Sequence, residues 1–396
     1  MQHTVKITDK IYWLGVNDRK TRLFENLWPL DKGMSYNSYV IVDEKVALVD
    51  TVESGYIDEF IVKLREILQG RKVDYLISNH MEPDHSGAIG AVVREYPDVT
   101  VVGNKLTFKM LEAFFSLKNK QKVVANGETL DLGEHQLTFY TTPWVHWPET
   151  MMTYDQKEKI LFSGDAFGSF GALDGGIFDD EINLDFYEDE LRRYYSNIVG
   201  KFTKQTQKAL KKLSNLDIRI IAATHGPVWR DNLKKILSLY NDWSTYTLDD
   251  GVVVVYASMY GHTARMADLT ARKMAEYGIK NIRVYDASKT HMSYIINDIW
   301  KYKGVILASP TYNGSLHPTM EALVSELKHL DVKDHYLGIF GSFAWNGAAL
   351  KELIKFSEEI KWEVVAEPIE IKGAMKAEDT VKFTELAKKM ADKFNK

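Results

Sequence analysis

His80-Met81-Glu82-Pro83-Asp84-His85 puts four potential metal ligands, two imidazoles and two carboxylates, into six residues, with no sulfur donor among them. The stretch follows the apolar run 73–78, so the loop leaves the end of a buried strand, where a rigid sheet can present chemistry. Singly, each residue has an ordinary explanation: Asp84 can cap a helix beginning near Ser86, and His85 can be a core histidine. Jointly that explanation weakens, because three more ligand-type side chains sit at strand ends downstream. His146 lies in Thr142-Pro143-Trp144-Val145-His146-Trp147-Pro148, Asp165 follows Ile160-Leu161-Phe162-Ser163-Gly164, and His225 follows Ile220-Ile221-Ala222-Ala223-Thr224. These seven donors exceed the roughly three that a catalytic zinc takes from protein and suit two metals sharing one carboxylate, for which Asp165 is the natural bridge.

Around this loop, 396 residues exceed what one hydrophobic core usually supports and favour two domains. A hydrophobic fraction of 45%, a charged fraction of 27% and a net charge of -5 are ordinary for a globular chain, and Lys and Arg form no basic stripe for nucleic acid. No apolar run approaches the ~20 residues of a bilayer span, and Met1-Gln2-His3-Thr4-Val5-Lys6 lacks the apolar core of a signal peptide. A cytoplasmic protein without a membrane partner is expected. The absence of cysteine excludes disulfides, thiolate zinc sites, iron–sulfur clusters and a built-in rubredoxin-like centre, so redox chemistry requires a bound cofactor or a metal held by nitrogen and oxygen.

Strands are expected at 39–42, 46–50, 73–78, 100–102, 137–140, 151–154 and 160–163, several too close for intervening helices and hence antiparallel. Helical spacing predicts helices over 57–68, capped by Ser54, and over 229–240. Together these predict two packed sheets with helices outside. After a short connector at 242–250 the texture changes. Val252-Val253-Val254-Val255-Tyr256-Ala257 reads as a strand buried on both faces, and apolar runs at 282–285, 305–308 and 336–340 alternate with helical segments up to 380–394. That predicts a doubly wound α/β domain.

Ser258-Met259-Tyr260-Gly261-His262-Thr263 joins the first strand of this second half to its first helix. A hydroxyl-rich loop at a helix N-terminus binds phosphate through backbone N–H groups and the helix dipole. It has neither the lysine of a Walker loop nor the glycine pattern of a dinucleotide fingerprint. Ser309-Pro310-Thr311-Tyr312-Asn313-Gly314 and Gly341-Ser342-Phe343-Ala344-Trp345-Asn346-Gly347 follow later strands and are expected on the same sheet edge.

The loop at 80–85 resembles that of the metallo-β-lactamase superfamily, His-x-His-x-Asp-His, except that Glu82 replaces the second histidine. A hard anionic oxygen there favours iron or manganese over zinc. His-x-Glu-x-Asp-His resembles the loop of flavodiiron proteins, or A-type flavoproteins, and the resemblance extends over essentially the whole chain. It implies a metallo-β-lactamase-like αββα sandwich over 1–250, followed by a flavodoxin-like doubly wound parallel sheet over 251–396. It also implies two non-haem irons, one on His80, Glu82 and His146, the other on Asp84, His85 and His225, with Asp165 bridging. Tyr195, in Leu191-Arg192-Arg193-Tyr194-Tyr195, resembles a tyrosine that the family places near the metals and is the expected catalytic side chain.

The loop at 258–263 resembles the flavodoxin FMN phosphate loop, Ser/Thr-x-Thr-Gly-x-Thr, with Tyr260 in place of a threonine. The implied FMN contacts are Ser258, Met259, Tyr260, Gly261, His262 and Thr263, then Pro310, Thr311, Tyr312, Asn313 and Gly314, then Ser342, Phe343, Ala344, Trp345 and Gly347. Trp345 is expected to stack on the isoalloxazine, with Tyr312 nearby. The resemblance implies reduction of O2 to water or of NO to nitrous oxide, with electrons passing through FMN from a separate, rubredoxin-like donor. It further implies a head-to-tail homodimer, or a dimer of dimers, that sets the FMN of one copy against the diiron site of another. The alternatives are a zinc hydrolase carrying a flavodoxin-like module, opposed by Glu82, and an electron carrier with a structural metal site, opposed by the number of donors. His3, His135, His291, His317, His329 and His335 have no second ligand at suggestive spacing and are expected to be structural or at the surface. Trp144 and Trp147 are expected to wall the metal site.

Overall fold

Tyr39–Val42 and Val46–Val49 are nearly continuous buried apolar runs separated by only Asp43-Glu44-Lys45, a spacing that leaves room for a hairpin and nothing more. They pair antiparallel, with Val40 opposite Leu48. The sheet then turns parallel through Tyr75–Ile77, Thr100–Gly103 and Lys120–Val123. Helices Ile57–Leu68, Ile89–Glu95 and Lys105–Phe115 make the crossovers. Val5–Lys6 and Ile11–Trp13 complete seven strands at the other edge. A five-stranded second sheet runs Thr129–Asp131, Gln136–Thr141, Met151–Asp155, Ile160–Gly164, Ile220–Ala223, antiparallel except for its last pair. Ile41, Val49, Ile77 and Val102 from the first sheet share one core with Phe139, Met151, Phe162 and Ala222 from the second. Burying one such phenylalanine stabilises by about 2–3 kcal/mol. This is the expected αββα sandwich, and the compact unit it builds spans Met1–Asn241.

The second unit, Asp242–Lys396, is a parallel sheet ordered Ile282–Asp286, Asp249–Tyr256, Tyr302–Pro310, Tyr336–Phe343, with Glu363–Val364 and Ile369–Lys372 both pairing with the last of these. Val252 to Val255 have no solvent exposure, as strands covered on both faces require. Met266 and Met274 of helix His262–Glu276 pack in one core with Phe383, Leu386 and Met390 of helix Thr380–Ala391 and with Val252 and Val254. The sheet grows in opposite directions from Asp249–Tyr256, which opens a crevice between that strand and Tyr302–Pro310 at their C-terminal ends. The computed structural model describes residues 5–117 and 119–394, so His3 lies outside the described residues. No described helix is long and apolar enough to cross a membrane.

Three local expectations shift. The turn before the first long helix is capped by Glu53, which accepts from Gly55 N at 2.5 Å, while Ser54 lies inside that turn and donates to Glu53. The helix expected over 229–240 runs instead over Leu233–Ser244. Asp179 accepts from the N–H groups of Arg230, Asp231 and Asn232, and Trp229 pairs with Ile221, so the chain stays extended or turned until Asn232. That helix takes up residues 242–244 and the next strand begins at Asp249, which shortens the connector to 245–248.

Candidate active site

The strand ends bring together all seven side chains singled out at the metal loops. One group comprises His80, Glu82, His146 and Asp165 and the other Asp84, His85 and His225, each with its donor atoms within 4.8 Å of one another. All seven are buried, none exposed by more than 8%. Proline at the first position of the four-residue helix Pro83–Ser86 starts a turn that aims Asp84 and His85 inward, so Asp84 is not a cap for a later helix. Asp165 lies between the groups. Its Oδ1 is 2.8 Å from His85 Nε2, and its Oδ2 is 2.9 Å from His146 Nε2 and 3.3 Å from His80 Nε2. Glu82 Oε2 is 3.0 Å from His146 Nε2, and Asp84 Oδ2 is 3.2 Å from both His85 and His225 Nε2.

Protein groups leave several of the cluster's atoms unsatisfied. Both oxygens of Asp84, Oδ2 of Asp165 and Nε2 of His85 and His225 are buried without a hydrogen-bond partner among the described residues. Unpaired buried polar atoms are costly, and here their lone pairs converge, an arrangement that fits cations held between them. The charges of the cluster act strongly on one another. Burial opposes charge on His80, but the Asp165, Glu149 and Glu82 carboxylates outweigh it and hold the imidazole well above its ordinary range. Burial likewise pushes the Asp84 carboxyl up to about 7, while His85 and His80 overcome burial at Asp165 and keep it well below the usual carboxylate range.

In the second unit, a cavity of about 680 Å3 opens at the C-terminal ends of the parallel strands. That volume suits a cofactor-sized ligand. Of the sequence-predicted flavin residues, all but Gly261 and Gly347 line it, together with Asn346 and Gly373, which sequence reasoning did not include. Gly261 makes the turn before the helix at φ +89°, where a side chain would be strained. A Cβ at Gly347 would meet the Glu370 carboxylate, the end of an exposed side chain that would have to move aside. Thr311 Oγ1 accepts from the N–H groups of Ala348 and Ala349 and Thr263 Oγ1 lies 3.0 Å from Ser342 Oγ, so the three loops hold one another. Trp345 and Tyr260 stand 90% and 87% exposed at the rim, presenting flat aromatic faces.

Residues 34–226 match the family described as ODP family beta lactamase, and residues 254–385 match Flavodoxin. The nitric oxide reductase of Moorella thermoacetica is 34% identical over 396 residues, 99% of each chain. The chain belongs to the flavodiiron protein family. Among solved structures, rubredoxin oxygen:oxidoreductase from Desulfovibrio gigas superposes on it with a TM-score of 0.95 at 30% identity over 99% of both chains. The flavodiiron protein from Giardia intestinalis superposes with a TM-score of 0.94 at 27% identity, covering 98% of this chain and 96% of the other.

Around the flavodiiron loop stand residues the sequence did not disclose. Glu149, fully buried, lies 2.7 Å from His80 Nδ1 and accepts from Met81 N. His225 Nδ1 is 2.8 Å from Ser35 O, and Thr224 Oγ1 donates to Asp165 Oδ1 at 2.7 Å. Asp50 accepts from Asn79 N and His80 N and fixes the start of the loop. Ring contacts sort the aromatic residues. Trp147 lies 5.2 Å from His80 and walls the cluster, whereas Trp144 is half-exposed and stacks on Phe202. Tyr194 is 5.4 Å from His225, which puts it in ring contact with a residue of the cluster, and Tyr195 is 5.0 Å from Tyr240. The described histidines outside the sites are structural or exposed: His291 and His317 cap helices, His135 pairs with Asp155, His335 faces two carbonyls and His329 is at the surface.

Proposed function

We propose that this flavodiiron chain reduces O2 to water, NO to nitrous oxide, or both, with electrons passing through FMN from a separate rubredoxin-like protein. In this proposal His80, Glu82 and His146 hold one non-haem iron, Asp84, His85 and His225 the other, and Asp165 lies between them. The observation that carries it is the split of Asp165, one oxygen turned to each group, which supports a dinuclear site rather than a single zinc. When bound, FMN supplies electrons singly or in pairs and the irons supply the centre at which a small gas is reduced.

The protein's own groups set the conditions for that chemistry. Glu149 and the Ser35 carbonyl accept from the Nδ1–H groups of His80 and His225, the tautomer that leaves each Nε2 lone pair facing the cluster. The Thr224 hydroxyl steadies Asp165, and Trp147 helps keep bulk water from His80. Tyr194 is fully buried and its hydroxyl lacks a hydrogen-bond partner among the described residues. Burial and the nearby Asp165, Asp84 and Glu82 carboxylates hold that phenol protonated, so it is suited to donate a hydrogen bond into the cluster. This reading gives Tyr194 the catalytic role for which the family resemblance points to its neighbour Tyr195.

At the other site, the residues that line the cavity hold FMN, with Gly261 and Gly347 shaping the backbone. The exposed rim aromatics support a head-to-tail homodimer or a dimer of dimers, in which a second copy covers the flavin. Parallel O2 and NO consumption by the purified chain with a reduced donor tests the activity. Turnover of at least one gas is expected, and its loss in His146→Asn with FMN still bound ties it to the cluster. Light scattering that finds a fully active monomer would contradict the dimer.

A further inference from the structure

The four imidazoles of the cluster are steered by different segments of the chain. His80 meets Glu149 at Nδ1, and its N–H donates to Asp50. His85 sits on the short helix Pro83–Ser86, where its carbonyl accepts from Thr51 N and Thr51 Oγ1 at 2.8 and 2.7 Å. His146 rides a loop closed on itself, with Trp144 N donating to Trp147 O and Thr142 N to Thr150 O. His225 follows strand Ile220–Ala223, and residues 35–39 grip the main chain on both sides of it. Asn37, with no solvent exposure, donates through Nδ2 to Ala223 O at 3.0 Å and to Gly226 O at 2.9 Å. Its main-chain N–H donates to Thr224 O at 2.7 Å. Trp13 Nε1 lies 2.9 Å from Asn37 Oδ1, and because an indole nitrogen can only donate, the amide is turned with its NH2 toward the two carbonyls. Ser35 completes the grip, its Oγ accepting from Gly226 N at 2.7 Å and its carbonyl facing His225 Nδ1.

We propose that Asn37 is the positioning residue of His225 and thereby sets the affinity of one metal subsite, that of Asp84, His85 and His225, while leaving the subsite of His80, Glu82 and His146 alone. This rests on the reading of the cluster as a two-iron site. Without the amide, Gly226 O and the Trp13 N–H lose a buried partner, so the turn after His225 has to shift or admit water. The strand end before His225 does not follow, because Ala223 O keeps the Tyr39 hydroxyl at 2.6 Å and the Asn37 N–H survives any substitution short of proline. The displacement therefore falls on the imidazole, whose Nε2 has to point at the metal. A gas held between two irons needs both of them, so turnover follows the second iron rather than the total iron.

Full-length protein, freed of metal and reloaded anaerobically with ferrous iron, tests this by chelator competition with metal and flavin counts on each variant. Asn37→Ala is expected to weaken one of the two irons about 10–100-fold and to leave the other, and the FMN, as in the wild type. After mild chelation it keeps about one iron per chain, and its oxidised form shows the spectrum of an isolated ferric ion in place of a coupled pair. Asn37→Ser, which retains one side-chain donor, falls between the two. Added to His225→Ala, Asn37→Ala weakens nothing further, since its effect runs through that imidazole. Leu68→Ala, a larger loss of packing at the end of helix Ile57–Leu68, leaves both irons bound. Equal weakening of both irons, an unchanged pair in the Asn37 variants, or additive effects with His225→Ala overturns the proposal. If the wild type takes up only a single metal, the two-iron reading itself fails.

Discussion

The metal cluster and the flavin cavity are built on opposite principles. The cluster gathers three carboxylates and four imidazoles, none more than 8% exposed, and buried groups drawn from other loops orient several of them. The cavity has no Asp, Glu, Lys or Arg among its described lining residues, is formed largely by backbone loops at strand ends, and carries aromatic residues up to 90% exposed. Concentrated charge has to be enclosed and every donor aimed, because a misdirected buried ligand leaves an uncompensated charge behind. Stacking and backbone N–H contacts tolerate openness. Substitutions should therefore act steeply in the first region and gradually in the second.

The largest expected effect is at the shared carboxylate. Asp165→Ala should strip most of the iron and abolish gas reduction while FMN stays bound, checked by metal and flavin analysis of one preparation. Loss of FMN with iron retained would break the comparison. Tyr194→Phe should lower turnover by about 10²-fold with iron and FMN contents unchanged, while Tyr195→Phe should have little effect on turnover. The reverse ranking would return the catalytic role to Tyr195. Glu149→Ala should weaken iron affinity by roughly 10–100-fold, and Glu149→Gln by less because its amide oxygen can still accept from His80 Nδ1, as chelator competition would show. Smallest is Trp345→Ala, which should weaken FMN binding by about 1 kcal/mol, roughly fivefold, and leave the iron content untouched.

The donors of the cluster were legible because residue type and position at strand ends carry the signal for a metal. Their supports were not. Glu149 reaches His80 across 69 positions of sequence through a fold-back that no local pattern announces. Ser35 acts through its carbonyl, which every residue has. The two adjacent tyrosines differ by one step around the helix, and a π-helical turn at Tyr195–Val199 alters the helical phase just there, so periodicity could not choose between them. The second unit was read almost completely, because long apolar strands and the loops after them mark the sheet and its binding edge together. The helix boundary near 229 was displaced by Asp179, about 50 residues away, whose carboxylate holds three successive N–H groups.

The most direct test of the central claim is a combined metal and flavin count followed by anaerobic reduction and mixing with O2 or NO. About two irons and about one FMN per chain, with rapid reoxidation by at least one gas, is the predicted result. Zinc in place of iron, ester hydrolysis and a reduced flavin indifferent to both gases would contradict it.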